Sequence, residues 1–452
     1  MTNDRWKCPV CGHSVTDNAF SDVCTACGAR RPVAQTVDPA GDTPHDMESS
    51  PLDILVVGTG IAGLAAAEAA RKSAENARIV LIGEERELPY YRLNLTRFLA
   101  GELPLEKLLL HSRQWYEDRR IDIITEECAS HIDPIRKTLR TATGKSWNYD
   151  RLVLATGAYP AIPPLAGTDK KQIFTLRTLQ DALSLKKACG KGNKVVVVGG
   201  GVLGLEAAAA LASQGGQVTV IEEFDWLLPR QANPKAGRHL QRRLEQRGIR
   251  LLCGERVAEI FGGESVERVV LASGDELMAD LLVFSTGVRC AVDLAVAAGL
   301  KTGKGILVDD QLRTSDPNIF AAGDVAEHRN TIYGTWFPAQ AQGTVAGRNA
   351  AGQGAVFAGI PRSNSLRVLD IDLFSIGDIG LEQGGVRILE EETKDGYYFF
   401  AFQDTRLSGA ILLGDISLAP RLKKLVETKS SCAALLEGAG GGAHIRHRMM
   451  KP

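Results

Sequence analysis

Two cysteine pairs stand near the start of the chain. Cys8-Pro9-Val10-Cys11-Gly12 and Cys24-Thr25-Ala26-Cys27-Gly28 both read C-x-x-C-G. Two such knuckles place four thiolates around one tetrahedral metal, and an all-sulfur tetrahedral site selects Zn(II) or iron. The glycine after each pair permits a tight turn and lets backbone N–H groups point at sulfur. Zinc held by Cys8, Cys11, Cys24 and Cys27 would be structural. Iron there would be a one-electron carrier. The other cysteines, Cys128, Cys189, Cys253, Cys290 and Cys432, show no paired spacing and read as buried free thiols.

A second set of residues points to dinucleotides. Gly58-Thr59-Gly60-Ile61-Ala62-Gly63 and Gly199-Gly200-Gly201-Val202-Leu203-Gly204 both read G-x-G-x-x-G. In this pattern the first glycine makes the turn, the second lets backbone approach a pyrophosphate, and the third lets helix and strand pack closely. The helix N-terminus then stabilises the phosphates. An acid follows each loop at the distance expected for a ribose contact, Glu84 or Glu85 in the first copy and Glu222 in the second. Glu222 with no basic cluster after it disfavours a 2′-phosphate, so NADH is expected over NADPH.

The elements that must position these residues recur in order. Each copy runs apolar strand, glycine loop, Ala-rich helix, then a strand ending in acid. Each later closes a β-rich stretch in Thr-Gly, at Ala155-Thr156-Gly157 and at Ser285-Thr286-Gly287. The duplication predicts two Rossmann-like dinucleotide-binding domains, the second inserted into the first. The fold class is therefore α/β, with a metal-knuckle mini-domain in front.

Composition bounds the rest. Acidic and basic residues nearly balance, 54 against 53, which gives no bulk electrostatic case for nucleic acid or an anionic membrane. The longest apolar stretch, Ile54 to Ala70, is broken by Gly58, Gly60, Gly63 and Glu68 and reads as strand–turn–helix, not a membrane span. Thiolate ligands suit a reducing compartment and the N-terminus lacks a signal-peptide core, so a cytoplasmic location is expected. Residues 1–30 are too few to hold a core without metal. Residues 31–51 are rich in Pro, Asp, Ser and Gly and read as a flexible linker with a reach of roughly 25 Å.

Near the end of the second half stands Thr314 followed by Phe320-Ala321-Ala322-Gly323-Asp324. Here the chain resembles the flavoprotein reductases with two dinucleotide-binding domains. The resemblance implies FAD in the first copy, NADH in the second, and Gly323 and Asp324 at the flavin ribityl chain. Leu88-Pro89-Tyr90-Tyr91-Arg92-Leu93-Asn94-Leu95, Leu176-Arg177-Thr178-Leu179-Gln180-Asp181-Ala182 and Trp336-Phe337-Pro338-Ala339-Gln340-Ala341-Gln342-Gly343 narrow it. They are similar to NADH:rubredoxin reductases and to the FAD part of assimilatory nitrite reductases. Leu93 departs from the proline common in that subgroup. The resemblance covers about residues 52–430 and implies further roles: Arg92 on FAD phosphate, Trp336 shielding the flavin, and Glu206 beside the nicotinamide. No cysteine lies between Cys27 and Cys128, so the thiol pair of related disulfide reductases is absent. Electrons leaving the flavin must reach a non-thiol acceptor.

The same comparison bears on the metal. Trp6, the Cys11-to-Cys24 gap and the glycines resemble the rubredoxin-like domain of rubrerythrins, although zinc ribbons share the knuckles. Fusion to a reductase of this kind favours one Fe over Zn. The expected domains are 1–30 (four-cysteine metal), 31–51 (linker), 52–165 with 291–355 (FAD), 166–290 (NADH), 356–435 (C-terminal β/α) and 436–452 (flexible tail). The expected activity is NADH:rubredoxin oxidoreduction, with a downstream electron-acceptor protein for which the resemblance suggests a diiron oxygen- or peroxide-reducing type. The alternatives are an NADH-dependent FAD reductase of a separate carrier with a zinc-bound docking domain, and a redox-sensing NADH/FAD binding module.

Overall fold

The computed structural model describes Arg5–Lys7, Ser14–Thr16 and residues 51–379, 385–438 and 440–450. At the N-terminus Arg5–Lys7 pairs antiparallel with Ser14–Thr16, Trp6 opposite Val15. Cys8, Cys11, Cys24 and Cys27 lie outside the described residues, as does the linker over 31–50. From residue 51 onward the described chain divides into two compact units.

The first unit comprises residues up to 89, 111–157 and 290–359. Its centre is a five-stranded parallel sheet in the order Ile319–Ala321, Arg151–Leu154, Asp53–Val57, Arg78–Ile82, Ile121–Ile124. The inner strands are near-continuous apolar runs because both faces are covered. One face carries the helix Ile61–Ser73, on which the helix Trp336–Ala350 packs. The other carries an antiparallel meander, Ala129–Asp133, Thr138–Thr141 and Ser146–Asn148, whose Ile132 and Leu139 join a core with Leu55, Val57, Leu152 and Leu154.

The two helices approach unusually closely, and glycine is the reason. A Cβ at Gly343 would stand 2.1 Å from the Ala62 carbonyl oxygen, and one at Gly347 2.1 Å from that of Ala66. Gly343-x-x-x-Gly347 thus faces Ala62-x-x-x-Ala66, small residues one helical turn apart on both sides. This close seam fixes the N-terminal end of the first glycine helix against the Gly323–Asp324 turn.

The second unit comprises residues 90–110, 158–289 and 360–452. Its parallel sheet repeats the first: Ile173–Thr175, Leu281–Phe284, Lys194–Val198, Gln217–Glu222, Arg250–Cys253. A second meander, Val257–Phe261, Arg268–Leu271 and Glu276–Met278, covers one face. The C-terminal part is a five-stranded antiparallel sheet in the order Ser363–Val368, Ile371–Gly377, Arg406–Leu413, Tyr397–Gln403, Val386–Glu392. Phe399 and Ile411 of this sheet join a core with Leu211 and Leu240. On its other face Phe400 and Leu412 meet Leu422, Ile445 and Met449. Both faces being covered explains why Tyr397-Tyr398-Phe399-Phe400-Ala401-Phe402 is buried throughout, without the alternation of a half-exposed strand.

Two features depart from the sequence expectation. Residues 90–110 and 158–165, read as part of the FAD domain, group with the second unit. Over 436–452, where a flexible tail was expected, the chain forms the helix Gly442–Met450. Ile445 and Met449 are buried in the C-terminal core, and Arg446 pairs with Glu391 through Nε at 2.7 Å and Nη2 at 2.9 Å. A glycine-rich lead-in hid an amphipathic turn too short to stand out in the sequence. No helix among the described residues is long and apolar enough to cross a membrane.

Candidate functional site

The two glycine loops have nearly the same geometry. Gly58 has φ +111° and Gly199 φ +116°, values that L side chains rarely adopt. A Cβ at Gly58 would lie 2.1 Å from the Ala155 carbonyl oxygen, and at Gly199 2.4 Å from that of Ser285. Each loop therefore turns against the strand end that precedes its Thr-Gly pair. A Cβ at Gly63 would lie 1.8 Å from the Gly58 oxygen, and at Gly204 2.0 Å from the Gly199 oxygen, so the third glycine seats each helix against its own turn. Gly60 and Gly201 are different. A Cβ at either meets nothing among the described residues within 4 Å. Each is an N-cap with extended backbone, and no side chain caps the helix that follows. Among the described residues, the first-turn N–H groups of Ile61, Ala62 and Gly63, and of Val202, Leu203 and Gly204, have no side-chain acceptor there. Uncapped donors at a helix N-terminus beneath open space suit a pyrophosphate.

Around the first loop, Ala155 N–H donates to the Val57 carbonyl at 2.7 Å. Thr156 Oγ1 donates to the Ala291 carbonyl at 3.0 Å, and Ala291 N–H returns a bond to Gly157 at 3.0 Å. Gly323 has φ +83°, and a Cβ there would meet Ala62 Cβ at 2.8 Å. Gln342, fully buried, accepts from Gly323 N–H through Oε1 at 2.9 Å. The turn carrying Asp324 is thus set directly beside the first glycine helix. Cys290 donates its thiol hydrogen to the Asp324 carbonyl at 3.0 Å, and burial with the nearby Asp324 and Glu327 charges keeps that thiol protonated. At the end of the strand Arg78–Ile82, Gly83 is required because a Cβ would stand 2.4 Å from Thr59 Cγ2. Glu84 is exposed and accepts weakly from Cys128 Sγ at 3.7 Å, while the Glu85 carbonyl accepts from Glu126 N–H at 3.2 Å. Trp336, half-buried, opens the helix Trp336–Ala350.

In the second unit, Glu222 is buried, at 7 % exposure. Its Oε2 accepts from Gly200 N–H at 2.7 Å and its Oε1 from Phe224 N–H at 3.0 Å. The carboxylate braces the glycine loop, and each oxygen retains a lone pair for a ribose hydroxyl. Cys253, opposite Glu222 on the neighbouring strand, has its thiol pushed up to about 11, first by burial and then by the Glu222 charge. Thr286 Oγ1 donates to the Ala161 carbonyl, and Gly287 takes φ +100° at the Thr-Gly exit.

Residues 90–110 form a strap across this second unit. Tyr90 Oη accepts from Leu179 N–H at 3.0 Å. Arg92 donates to the Arg177 carbonyl. Thr96 Oγ1 donates to Glu206 Oε2 at 3.0 Å. Lys186 Nζ donates to the Phe98 carbonyl at 3.3 Å, and Gln214 Nε2 to the Ala100 carbonyl at 3.0 Å. These bonds are the physical reason the strap leaves the first unit. They also place Arg92, expected on FAD phosphate, at a backbone carbonyl of the second unit. Glu206 stands on the helix Val202–Ser213 with its carboxyl raised to about 7 by burial, an effect the Thr96 bond partly offsets. The sequence reading missed Thr96, Gly83, Gln342 and Gly347. The Gly343-x-x-x-Gly347 spacing carried a sequence signal, and Gln342 lies within the Trp336–Gly343 segment that carries the family resemblance.

Comparison with known proteins adds to this geometry. The family model described as pyridine nucleotide-disulphide oxidoreductase matches residues 52–343, and that of the rubredoxin NAD+ reductase C-terminal domain matches residues 363–430. The chain is 35% identical to the assimilatory nitrate reductase electron transfer subunit of Bacillus subtilis, over 82% of this chain and 48% of that protein. It is 31% identical to the NADH-rubredoxin oxidoreductase of Clostridium acetobutylicum, over 84% of this chain and 95% of that one. The crystal structure of the covalent putidaredoxin reductase–putidaredoxin complex superposes with a TM-score of 0.81 at 25% identity, covering 89% of this chain and 100% of that chain. The chain spans about half the length of the first curated relatives it matches.

Proposed function

The chain belongs to the pyridine nucleotide-disulphide oxidoreductase family, and from that membership we propose that it is an NADH-dependent FAD oxidoreductase of the ferredoxin/rubredoxin reductase type. In this reading it passes electrons to an iron centre held by its own Cys8, Cys11, Cys24 and Cys27, and from there to an external acceptor protein. The observation that carries the flavoenzyme part is the repeated cradle. Two uncapped helix N-termini lie under open glycines, one in each unit, each with its own acid at the strand end. Such a pair suits two dinucleotides.

FAD in the first cradle would be held by the N–H groups of Ile61–Gly63, by Glu84 or Glu85 and by the Gly323–Asp324 turn. Bound flavin accepts two electrons as hydride and returns them singly. NADH in the second cradle would be held by Gly201 to Gly204 and Glu222. Glu222, with the exposed Glu223 after it, disfavours a 2′-phosphate. Hydride transfer needs orientation and exclusion of water and requires no general base. The free thiols fit no role in it. Cys290 and Cys253 are held protonated, and the described cysteines form no disulfide.

The match to the rubredoxin NAD+ reductase C-terminal domain supports rubredoxin-type iron as the first acceptor. A tethered carrier would receive electrons at a high local concentration set by the linker. A second reading, reduction of a separate carrier with zinc in the four-cysteine site, is favoured by the likeness to the putidaredoxin reductase complex. Metal content and the visible spectrum of the anaerobic protein, before and after NADH, separate the two. One iron per chain with a ferric-thiolate band that NADH bleaches together with flavin is the expected result. Zinc after iron-supplemented expression, with flavin bleaching alone, would move the assignment to the second reading. Replacing Cys8 and Cys11 by serine should leave NADH-to-ferricyanide activity and abolish transfer to the protein acceptor.

A further inference from the structure

Among the described residues the Glu206 carboxyl has one hydrogen-bond partner, Thr96 Oγ1. Thr96 lies on the short helix Leu95–Leu99 of the strap and is 6 % exposed. The charged side chains on the elements packed around the Glu206 helix are engaged elsewhere or exposed. Arg97, on Leu95–Leu99, pairs with Glu102 at 3.0 Å. Glu222, on Gln217–Glu222, is bonded to Gly200 and Phe224. Arg367, on Ser363–Val368, pairs with Asp372 at 3.0 Å. Lys194 is exposed at the far end of Lys194–Val198. Burial therefore acts on Glu206 with no cation among the described residues to oppose it, and the carboxyl is raised to about 7 from the ordinary 4.5.

We propose that Glu206 is a proton-bearing carboxyl through which the second nucleotide site distinguishes the oxidised from the reduced nicotinamide, with Thr96 as its positioning residue. This rests on the reading that places NADH in the second cradle, with its ring at Glu206 as the family resemblance implies. The chemistry is charge balance. The oxidised ring is a cation and the reduced ring is neutral. A protonated Glu206 tolerates the neutral ring, and a cationic ring draws the proton off. By linkage, loss of that proton must then strengthen NAD+ binding by the same factor. Thr96 enters because it donates to Oε2, which favours the charged carboxylate and fixes the other oxygen as the site of the proton. A strap drawn from between two segments of the flavin unit thus supplies, among the described residues, the only partner of a group in the nucleotide unit.

The test is titration of the oxidised holoenzyme with NAD+ and with tetrahydro-NADH, whose ring is uncharged and donates no hydride. Calorimetry in buffers of different ionisation enthalpy counts the protons released. NAD+ affinity should rise by about tenfold from about pH 5.5 to about pH 8.5, one unit of pKa displacement corresponding to that factor. Tetrahydro-NADH affinity should stay level. Glu206→Gln should bind NAD+ without pH dependence or proton release. Thr96→Val should move the NAD+ transition to higher pH, and Thr96→Ser should restore it. Wild-type protein that binds both nucleotides with no pH-dependent difference would overturn the inference and leave the placement of NADH intact. So would a Glu206→Gln variant that retains the transition. Binding of both nucleotides unaffected by Gly201→Ala would overturn that placement, and the inference with it.

Discussion

Gly60→Ala separates ligand binding from folding. Gly60 has an ordinary extended backbone, φ −71° and ψ 179°, and a Cβ there meets nothing among the described residues within 4 Å. Alanine is a poorer N-cap than glycine by up to about 1 kcal/mol, while restricting the unfolded chain returns about 0.4–1 kcal/mol. The stability of the FAD-free protein should therefore change by less than about 1 kcal/mol. The ligand would meet a different outcome. A methyl group over the loop holds a phosphate oxygen off the N–H groups of Ile61–Gly63. Each such charge-assisted hydrogen bond contributes about 1.5–3 kcal/mol, so loss of even one raises the FAD Kd by at least about tenfold. Gly58→Ala is the contrast. With φ +111° and backbone oxygen 2.1 Å away, it should disturb the unit itself. Gly201→Ala carries the same logic to the second loop: flavin content unchanged, NADH Kd raised by a similar factor. The assays are flavin-to-protein ratio, FAD titration by fluorescence quenching, and thermal unfolding of the FAD-free protein. Gly60→Ala that keeps wild-type FAD affinity would refute the pyrophosphate assignment. Gly60→Ala that unfolds without ligand would refute the claim that the space above it is open.

Other outcomes follow from the same geometry. Gly347→Val places a side chain where even a Cβ stands 2.1 Å from the Ala66 carbonyl oxygen. It should lower the unfolding midpoint of the first unit by the equivalent of about 1–3 kcal/mol or more, read by thermal denaturation. Truncation after Gly441 removes the buried Ile445 and Met449 and the partner of Glu391. Loss of about 3–5 kcal/mol is expected, and an unchanged melting curve would show that the C-terminal helix does not pack. Glu206 has its folded value raised from 4.5 to about 7. Between those values the folded state binds more protons than the unfolded state, so FAD-free stability should fall as pH rises through that window and level off above it. Glu206→Gln should remove the decline, which denaturant titrations across the pH range would read directly.

Local sequence determined the paired strand–glycine–helix–acid order. Gly58 and Gly199 need positive φ, and Gly63 and Gly204 need contact with their own turns. Both demands act over a few residues, so they are legible without tertiary structure. The acid at Glu222 is legible for the same reason. The cysteine knuckles are equally plain in the sequence, although they lie outside the described residues.

Tertiary structure decided what depends on partners far apart in the chain. Thr96 and Glu206 are 110 residues apart, and nothing in either local pattern announces their meeting. The strap over 90–110 follows a strand of the first unit in sequence, yet its hydrogen-bond partners at Leu179, Arg177, Glu206, Lys186 and Gln214 all belong to the second unit. Residues 442–450 looked unstructured because a nine-residue helix after glycines has little stability of its own. It forms because the sheet supplies an apolar face and Glu391. Periodicity and turn chemistry are local and can be read from the chain. A carboxyl's proton is set by what the fold places around it.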